Sequence, residues 1–525
     1  MGTMPQVKAS PKSYDVIVVG SGAGGGTLTW ALAPTGKRIL LLERGGWLPR
    51  EKENWSSVAV WGDKRYRNSG FWSDGDGKEF LPKQHYYVGG NTKFYGAILF
   101  RMRERDFGAI THVDGVSPAW PLTSADWDPW YTKAEQLYSV HGQRGVDPTE
   151  PFTTAGYPWP AISHEPRIEQ LSDDLTKAGL HPFPLPNGIL IDEAMPAQSA
   201  CIRCNTCDGF PCLVQAKADA AVVCVQPALA HPNVTLRTHA RVVRLETTGS
   251  GRAVSTVVVE RDEGGVLERE EYSADVVVLS AGAINSAALL LSSAGDLHPD
   301  GLGNSSAQVG RNLMLHNNSS LIAISKIPNP TAFQKTLGIN DFYLGDPDGD
   351  WEFPLGAMQM LGRSDAFTIS FDVPDAENPA DLAAHSLDFW LTTEDLPRPE
   401  NRVTLDGNGR IRLHYRPTNL EAHKRLNAKF RSLLDAMQCM DDVMERQTYV
   451  GGRLGISGVA HQNGTIRFGT DPATSALDVN CRMHDLDNLY VVDSSFFCSA
   501  SAVNPTLTII ANALRVADHL AGRLP

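Results

Sequence analysis

The stretch from Tyr14 to Gly45, YDVIVVGSGAGGGTLTWALAPTGKRILLLERG, leaves few folds open to the chain. Asp15 to Val19 is an apolar, β-branched run too short to be a helix before the glycines begin, so it reads as a buried strand. Gly20, Gly22 and Gly25 then form G-x-G-x-x-G, and Thr27 to Leu32 continue as a helix. A second apolar strand, Arg38 to Leu42, ends in Glu43, 23 positions beyond Gly20. Each part has a physical job. Gly20 permits a tight turn, Gly22 lets a pyrophosphate approach the backbone, and Gly25 lets the helix pack closely on the strand. The phosphates of a dinucleotide would sit on the free N–H groups of the helix N-terminus, with Glu43 accepting hydrogen bonds from a ribose.

Charge and hydropathy narrow the partners. The net charge of -13 argues against nucleic acid and anionic membrane. No apolar run reaches the ~18 residues of a membrane span. The opening residues, MGTMPQVKASPKSYD, contain no apolar signal core and no twin arginine, and Gln6 stands where a myristoylation signal wants Ser or Thr. The expectation is a cytoplasmic protein, a monomer or small homo-oligomer, in which the Asn-x-Ser/Thr triplets at Asn233 and Asn317 carry no glycan.

Along the chain, residues 47 to 84 are polar, carry four tryptophans and lack periodicity, as irregular connections over a ligand would. Gly89-Gly90 in YYVGGNTKFYG allows close backbone approach to a flat ligand, or makes a plain turn. A helix is expected from Ser124 to His141. The stretch from Asn233 to Tyr272 reads as a small meander, and Val276 to Leu279 as a second buried strand before a glycine and a helix. Alternating segments between 321 and 450 suggest an antiparallel sheet, including a hairpin turning at Gly407 to Gly409, and 419 to 445 reads as one long amphipathic helix. The acidic run at Asp346 to Asp350 lacks the central glycine of a calcium loop and reads as a solvated turn. Asn488 to Asp493 is a strand ending in an aspartate, and Asn504-Pro505-Thr506 opens the last helix.

The N-terminal G-x-G-x-x-G, the GGNTxxYG block, the late H-x-x-G-T at His461 to Thr465 and the closing strand–Asp–Asn-Pro-Thr–helix together resemble the glucose–methanol–choline (GMC) oxidoreductases. The resemblance is specific at both ends and from Ala274 to Leu313, and weak from 109 to 195 and from 320 to 450. It implies an α/β, Rossmann-like FAD-binding domain assembled from residues 13–108, 196–315 and 455–525. An α+β substrate domain with an antiparallel sheet would comprise 109–195 and 316–454. It places the catalytic pair at His461 and Asn504. A neutral imidazole is a natural base near pH 7 for the hydroxyl proton, while hydride leaves for flavin N5 and Asn504 donates to the developing alkoxide. It assigns cofactor contacts to Gly20, Gly22, Ala23, Gly25, Glu43 and Arg44, to Gly90, Asn91 and Thr92, and to Val242 and Ala281. Asp493, Pro505 and Thr506 complete that set, the helix N-terminus facing the flavin edge that turns negative on reduction. Relatives with covalent FAD carry a histidine in the GGNT loop; here the neighbourhood is Lys93-Phe94-Tyr95, so FAD is expected to be non-covalent. His484 is read as a loop residue.

Cys201, Cys204, Cys207 and Cys212 give C-x2-C-x2-C-x4-C, one residue longer than a ferredoxin-type run and without its proline. An iron–sulfur cluster there is the weaker reading, and a cysteine-rich structural turn the stronger. The GGNT and cysteine segments are most similar to bacterial pyranose-oxidase-like C-glycoside 3-oxidases and glucoside 3-dehydrogenases. That implies oxidation of a secondary hydroxyl of a pyranose or glycoside, at carbon 3 or carbon 2, to a ketone, with oxygen as acceptor. A dehydrogenase serving a quinone or cytochrome is the alternative, and an FAD-containing lyase a more distant one.

Overall fold

The computed structural model describes residues 7–9, 13–346, 349–436, 440–445 and 454–524. A five-stranded parallel sheet carries the N-terminal unit. Its spatial order is Val234–Arg237, Ile39–Leu42, Tyr14–Val19, Ala274–Leu279 and Leu489–Val491. Val16 pairs with Ile39 on one side and Val276 on the other, and Val277 pairs in turn with Leu489. Helices cover such a sheet on both faces, which is why Val16 to Val19 and Ile39 to Leu42 are buried without alternation. The first and last helices of the chain that serve this sheet, Ala23–Leu32 and Thr506–Arg523, pack on one another, so the two ends of the sequence meet.

Two strand–glycine–helix turns lie side by side at the carboxyl edge of the sheet. Gly20 has φ +97°, and a Cβ there would sit 2.3 Å from the Ser280 carbonyl oxygen. Gly282 leads into the helix Ala283–Ser292 in the same manner. A Cβ on Gly25 would lie 1.9 Å from the Gly20 carbonyl oxygen, so this glycine seats the first helix against its own turn. Between these units, Ala240–Thr247, Val254–Glu263 and Val266–Tyr272 form the expected meander.

The second sheet is six-stranded and antiparallel, in the order Phe183–Pro184, Leu337–Ile339, Ala357–Met360, Ser386–Thr393, Asn317–Ser325 and Met440–Glu445. The helix Leu420–Ala436 lays Ala422, Leu426, Phe430 and Leu434 on one face of it, with Phe430 edge-on to Phe389 at 4.6 Å. Alternation then sends Asn318, Gln359 and Trp390 to the opposite face, Gln359 pairing in register with Trp390. Met358 and Met360 belong to the core beneath the helix, and Gln359 between them faces the open side. The α/β plus antiparallel-sheet class is thus as the sequence implied.

Several boundaries differ. The helix expected over 419–445 ends at Ala436, and Met440–Glu445 is instead an edge strand on Asn317–Ser325, because that strand's free backbone groups need partners more than the helix needs length. The hairpin Arg402–Leu405/Ile411–His414 forms as expected, its turn held by Asp406, whose Oδ1 accepts from Asn408 N–H at 2.8 Å and Arg410 N–H at 2.9 Å. It joins Trp72–Asp74 in a separate sheet, not the six-stranded one. The helix expected to run from Ser124 to His141 ends at Leu137, with Val140–Gly142 a short strand, and its start is capped by Thr123 with Asp126. Residues 347–348 of the acidic run and the opening residues 1–6 lie outside the described residues; Asp346 itself is paired with Lys429 at 2.9 Å.

Gly25→Ala is expected to cost about 1–3 kcal/mol, the usual range for overpacking, because its new methyl meets rigid backbone. Denaturant unfolding of the variant against the wild type measures it.

Candidate active site

A cavity of about 740 Å³ runs from the first glycine turn to the open face of the antiparallel sheet. That is toward the upper end of the ~300–1,000 Å³ of small-molecule and cofactor sites. Its floor is the carboxyl edge of the parallel sheet, its roof Asn318, Gln359 and Trp390.

The floor is tied by one buried hydroxyl. Ser21 Oγ donates to Glu43 Oε2 at 2.5 Å and accepts from Gly89 N–H at 3.1 Å, while Ser21 N–H also donates to Glu43 Oε2 at 3.1 Å. Glu43 Oε1 accepts from Gly45 N–H at 2.9 Å, and burial pushes the Glu43 carboxyl up from its ordinary range. One serine thereby joins the glycine turn, the acidic strand end and the Gly89-Gly90 loop. A carboxylate has about four lone-pair positions, so Glu43 keeps roughly one for a ligand. Gly22 faces the cavity with φ -70°, and a Cβ there would meet nothing nearer than the Gly90 Cα at 4.0 Å. The strand-turn therefore presents bare backbone to the cavity, the shape a pyrophosphate requires. These residues fit a dinucleotide cofactor.

Gly20, Ala23, Glu43 and Arg44 all line the wall, Arg44 with its guanidinium 4.0 Å over the Tyr86 ring. Gly90, Asn91 and Thr92 form the facing loop, with Thr92 Oγ1 donating to the Gly89 carbonyl at 2.5 Å and Asn91 Oδ1 accepting from His85 N–H at 3.0 Å. Val242 and Ala281 contribute further wall, as does Asp493. Asp493 accepts from Gly282 N–H at 3.0 Å, Ser286 Oγ at 2.5 Å and Ser495 N–H at 3.0 Å, so it locks the second glycine turn to the last strand. Gly25 is absent from the wall and packs behind the turn, as its steric surroundings require.

At the other end of the cavity stand His461, Asn504, Pro505 and Thr506. Gln462 and Asn463 pair with Leu315 and Met314, and Ser494 Oγ donates to the Gln462 carbonyl at 2.5 Å, which fixes the segment carrying His461. The turn before Asn504 is held by Tyr343 Oη, which accepts from Ala502 N–H at 3.1 Å, and by Glu394, which accepts from Ser501 N–H at 3.1 Å. The helix that follows opens with no acidic residue in its first turn, so its free N–H groups and positive dipole end face the cavity at Thr506. Burial, then the neighbouring His316 and Lys83, hold the His461 imidazole well below its ordinary value, which keeps it neutral. His461 Nδ1 lies 2.9 Å from His316 Nδ1.

Residues that the sequence did not single out include Ser21, His316, Gln359 and Trp390. Ser21 is an interchangeable position of the glycine motif, and only the fold reveals its two partners, Glu43 and Gly89. His484 sits in a loop, its Nε2 3.1 Å from Ser475 Oγ, away from the cavity wall.

The cysteine segment is a wall of the same cavity at Asp208 and Gly209. Lys217 Nζ donates to the Cys207 and Phe210 carbonyls at 2.8 and 2.9 Å, and Lys335 pairs with Asp208 at 3.1 Å. Cys201, Cys204, Cys207 and Cys212 are free thiols, and burial pushes the Cys201 thiol up to about 12. Among the described residues no three His, Cys, Asp or Glu side chains are arranged to hold a metal ion. Among them, too, no helix is long and apolar enough to cross a membrane.

Two family profiles, both described as GMC oxidoreductase, match residues 187–318 and 397–513. The 6'''-hydroxyparomomycin C oxidase of Streptomyces lividus is 33% identical, over 97% of this chain and 92% of that protein. The paromamine 6'-oxidase of Streptomyces fradiae is 32% identical over the same shares. A C-glycoside 3-oxidase of Microbacterium trichothecenolyticum is 25% identical over 56% of this chain and 55% of that protein. Among solved structures, a pyridoxine 4-oxidase superposes with a TM-score of 0.65 at 19% identity, covering 97% of this chain and 99% of that one.

Gly22→Val is expected to leave the unfolding midpoint of the apoprotein almost unchanged, since its side chain enters open space, yet to abolish retention of the dinucleotide. Thermal unfolding beside the bound-cofactor absorbance separates the two effects.

Proposed function

The chain belongs to the GMC oxidoreductase family, FAD-dependent enzymes acting on CH–OH groups, and from that premise we propose that it oxidises a hydroxyl of a sugar or glycoside, with His461 as base, Asn504 as hydrogen-bond donor and oxygen as the electron acceptor. The observation that carries this reading is the meeting of His461, Asn504 and the Thr506 helix end on one cavity with the glycine turn.

Glu43 would accept from a ribose hydroxyl with its remaining lone pair, and the backbone at Gly20 and Gly22 would hold the phosphates. Val242 and Arg44 flank that end, and Asn91 and Thr92 the flavin end. Bound FAD, held without a covalent link, supplies the acceptor for the hydride that leaves the carbinol carbon. His461, neutral through burial, takes the hydroxyl proton; Asn504 donates to the oxygen as its charge grows. Gln359 and Trp390 on the roof offer a hydrogen-bonding amide beside a flat apolar surface, a pairing suited to a pyranose. In this reading the parallel sheet and its glycine turns are the FAD-binding part, in segments 13–108, 196–315 and 455–525. The residues 109–195 and 316–454 are the substrate part.

The ring position has two readings. The sequence implied a secondary hydroxyl at carbon 3 or 2, which a C-glycoside 3-oxidase among the relatives supports. Two relatives of higher identity and far greater coverage are named for position 6, and they support that position as the better reading. Anaerobic flavin bleaching by a panel of sugars, amino-sugar glycosides and C-glycosides, with product NMR, decides it; release of peroxide in air tests oxygen as acceptor.

His461→Ala is expected to keep FAD and to slow flavin reduction by roughly a hundredfold or more, the scale of a lost general base. The sign of the pH dependence follows from the depressed imidazole value. A base with a lowered pKa stays unprotonated further into acid, so the acid limb of kcat/KM should fall below ~6.5, the ordinary imidazole value. A stopped-flow pH profile measures both.

A further inference from the structure

The adjoining imidazoles of buried His316 and half-buried His461 raise a question that heavy-atom positions alone leave open: which nitrogen of each carries hydrogen. The answer is forced from the far end of the pair. His316 Nε2 lies 3.0 Å from the carbonyl oxygen of Ala500. A carbonyl can only accept, so His316 Nε2 must carry the hydrogen. The orientation of that peptide group is fixed independently, because the next N–H, of Ser501, donates to Glu394 Oε1 at 3.1 Å. Burial favours the neutral form of both rings. A neutral His316 protonated at Nε2 has a bare lone pair at Nδ1. His461 Nδ1 stands 2.9 Å from it, with the rings nearly perpendicular at 84°. Two bare nitrogens would repel there, so His461 Nδ1 carries the hydrogen and donates. His461 Nε2 is then left bare, on a ring that lines the cavity.

We propose that His316 is the positioning residue for the base. By accepting from His461 Nδ1–H while donating to Ala500, it fixes the tautomer in which His461 Nε2 can take a proton. This rests on the reading of His461 as the base. Without His316, the ring would be free to turn or to place its hydrogen on Nε2, where it is useless as an acceptor. The segment that carries His316 is itself held: Leu315 N–H donates to Asp395 Oδ2 at 2.8 Å, and Asn317 Nδ2 to the Thr418 carbonyl at 2.7 Å.

The test uses FAD-loaded enzyme labelled with ¹⁵N-histidine, whose long-range ¹⁵N–¹H couplings report each ring's tautomer without any substrate. In the wild type His461 should be protonated at Nδ1 and His316 at Nε2. His316→Phe fills the volume but cannot accept; His461 should lose the Nδ1–H signature. The rate of anaerobic flavin reduction at saturating sugar should then fall at least about tenfold, a part of the ~10²–10⁴-fold of a general base, with half-saturation and FAD content little changed. His316→Asn can present Oδ1 where Nδ1 stood, and should keep the Nδ1–H signature and most of the rate. A wild-type His461 protonated at Nε2 overturns the proposal, as does a His316→Phe enzyme with unaltered tautomer and rate. Should His316→Phe fail to fold, the wild-type and His316→Asn spectra still decide. Because the tautomer is read without substrate, its failure is distinct from a failure of any sugar to bleach the flavin.

Discussion

The bond from Ser21 to Glu43 holds the cavity floor together, and most of the rest leans on it. A buried carboxylate is costly unless its oxygens are met, and three donors from the two turns meet it here. The same hydroxyl accepts from Gly89, so the first turn of the chain cannot shift without dragging the facing loop. That loop is in turn fixed to the segment after the cysteines, where Ala220 N–H donates to Thr92 Oγ1 at 3.0 Å and Lys93 pairs with Asp219 at 2.8 Å in the interior. The cysteine segment is continuous with this arrangement through Gly209 N–H, which donates to the Phe94 carbonyl at 2.9 Å. Two of its cysteines, Cys201 and Cys207, pack half-buried against the small core of Ala97, Ile162, Ile189, Ile191 and Phe333.

A second constraint brings the far end of the chain to the same place. The strand Leu489–Val491 joins the sheet edge beside Ala274–Leu279, and Asp493 at its end meets the second glycine turn. From there only ten residues separate the aspartate from Asn504. All of them are buried, among them Phe496 and Phe497 against Trp120. Aromatic packing of this density leaves the turn little freedom, so the amide of Asn504 and the opening of the last helix are delivered as one rigid piece. In the proposed reaction, a donor and a helix terminus placed this way would stabilise developing charge without reorganisation.

What could be read beforehand follows from how local the cause is. The strand–glycine–helix turns are local: Gly20 and Gly282 need positive φ, and Gly25 needs to lack a side chain, so the pattern announces them. The buried parallel strands announce themselves as unbroken apolar runs. The roof was legible as alternation, but which of its two faces was open depended on the helix Leu420–Ala436, and a helix face does not name the sheet it covers. For that reason the sequence does not tell that Met358 and Met360 face the core while Gln359 between them faces the cavity. The edge strand Met440–Glu445 failed for a similar reason, since pairing with Asn317–Ser325 is a tertiary demand that local propensity does not record. Ser21 and His316 are illegible in principle: one serine and one histidine, each meaningful only through partners 22, 68, 145 and 184 positions away.

The identity of the partner beside His461 has a chemical consequence. A carboxylate next to an imidazole raises its pKa and stabilises the imidazolium, at the cost of protonating the base early in acid. A neutral imidazole partner supplies orientation without that attraction, so His461, if it is the base as proposed, would remain unprotonated over a wider range below neutrality. Charge is not absent from the neighbourhood, only displaced. Glu394 sits beyond His316, where its negative charge raises the His316 value while burial lowers it. It also holds the Ser501 N–H and lies 3.2 Å from His112. The carboxylate is thus set back from His461, and it holds the Ser501 N–H of the peptide whose Ala500 carbonyl accepts from His316. Such an arrangement separates the two tasks that a directly bonded carboxylate combines. In the proposed reading, direction comes from hydrogen bonds to uncharged groups, and the negative charge of Glu394 acts on His316 and not directly on His461.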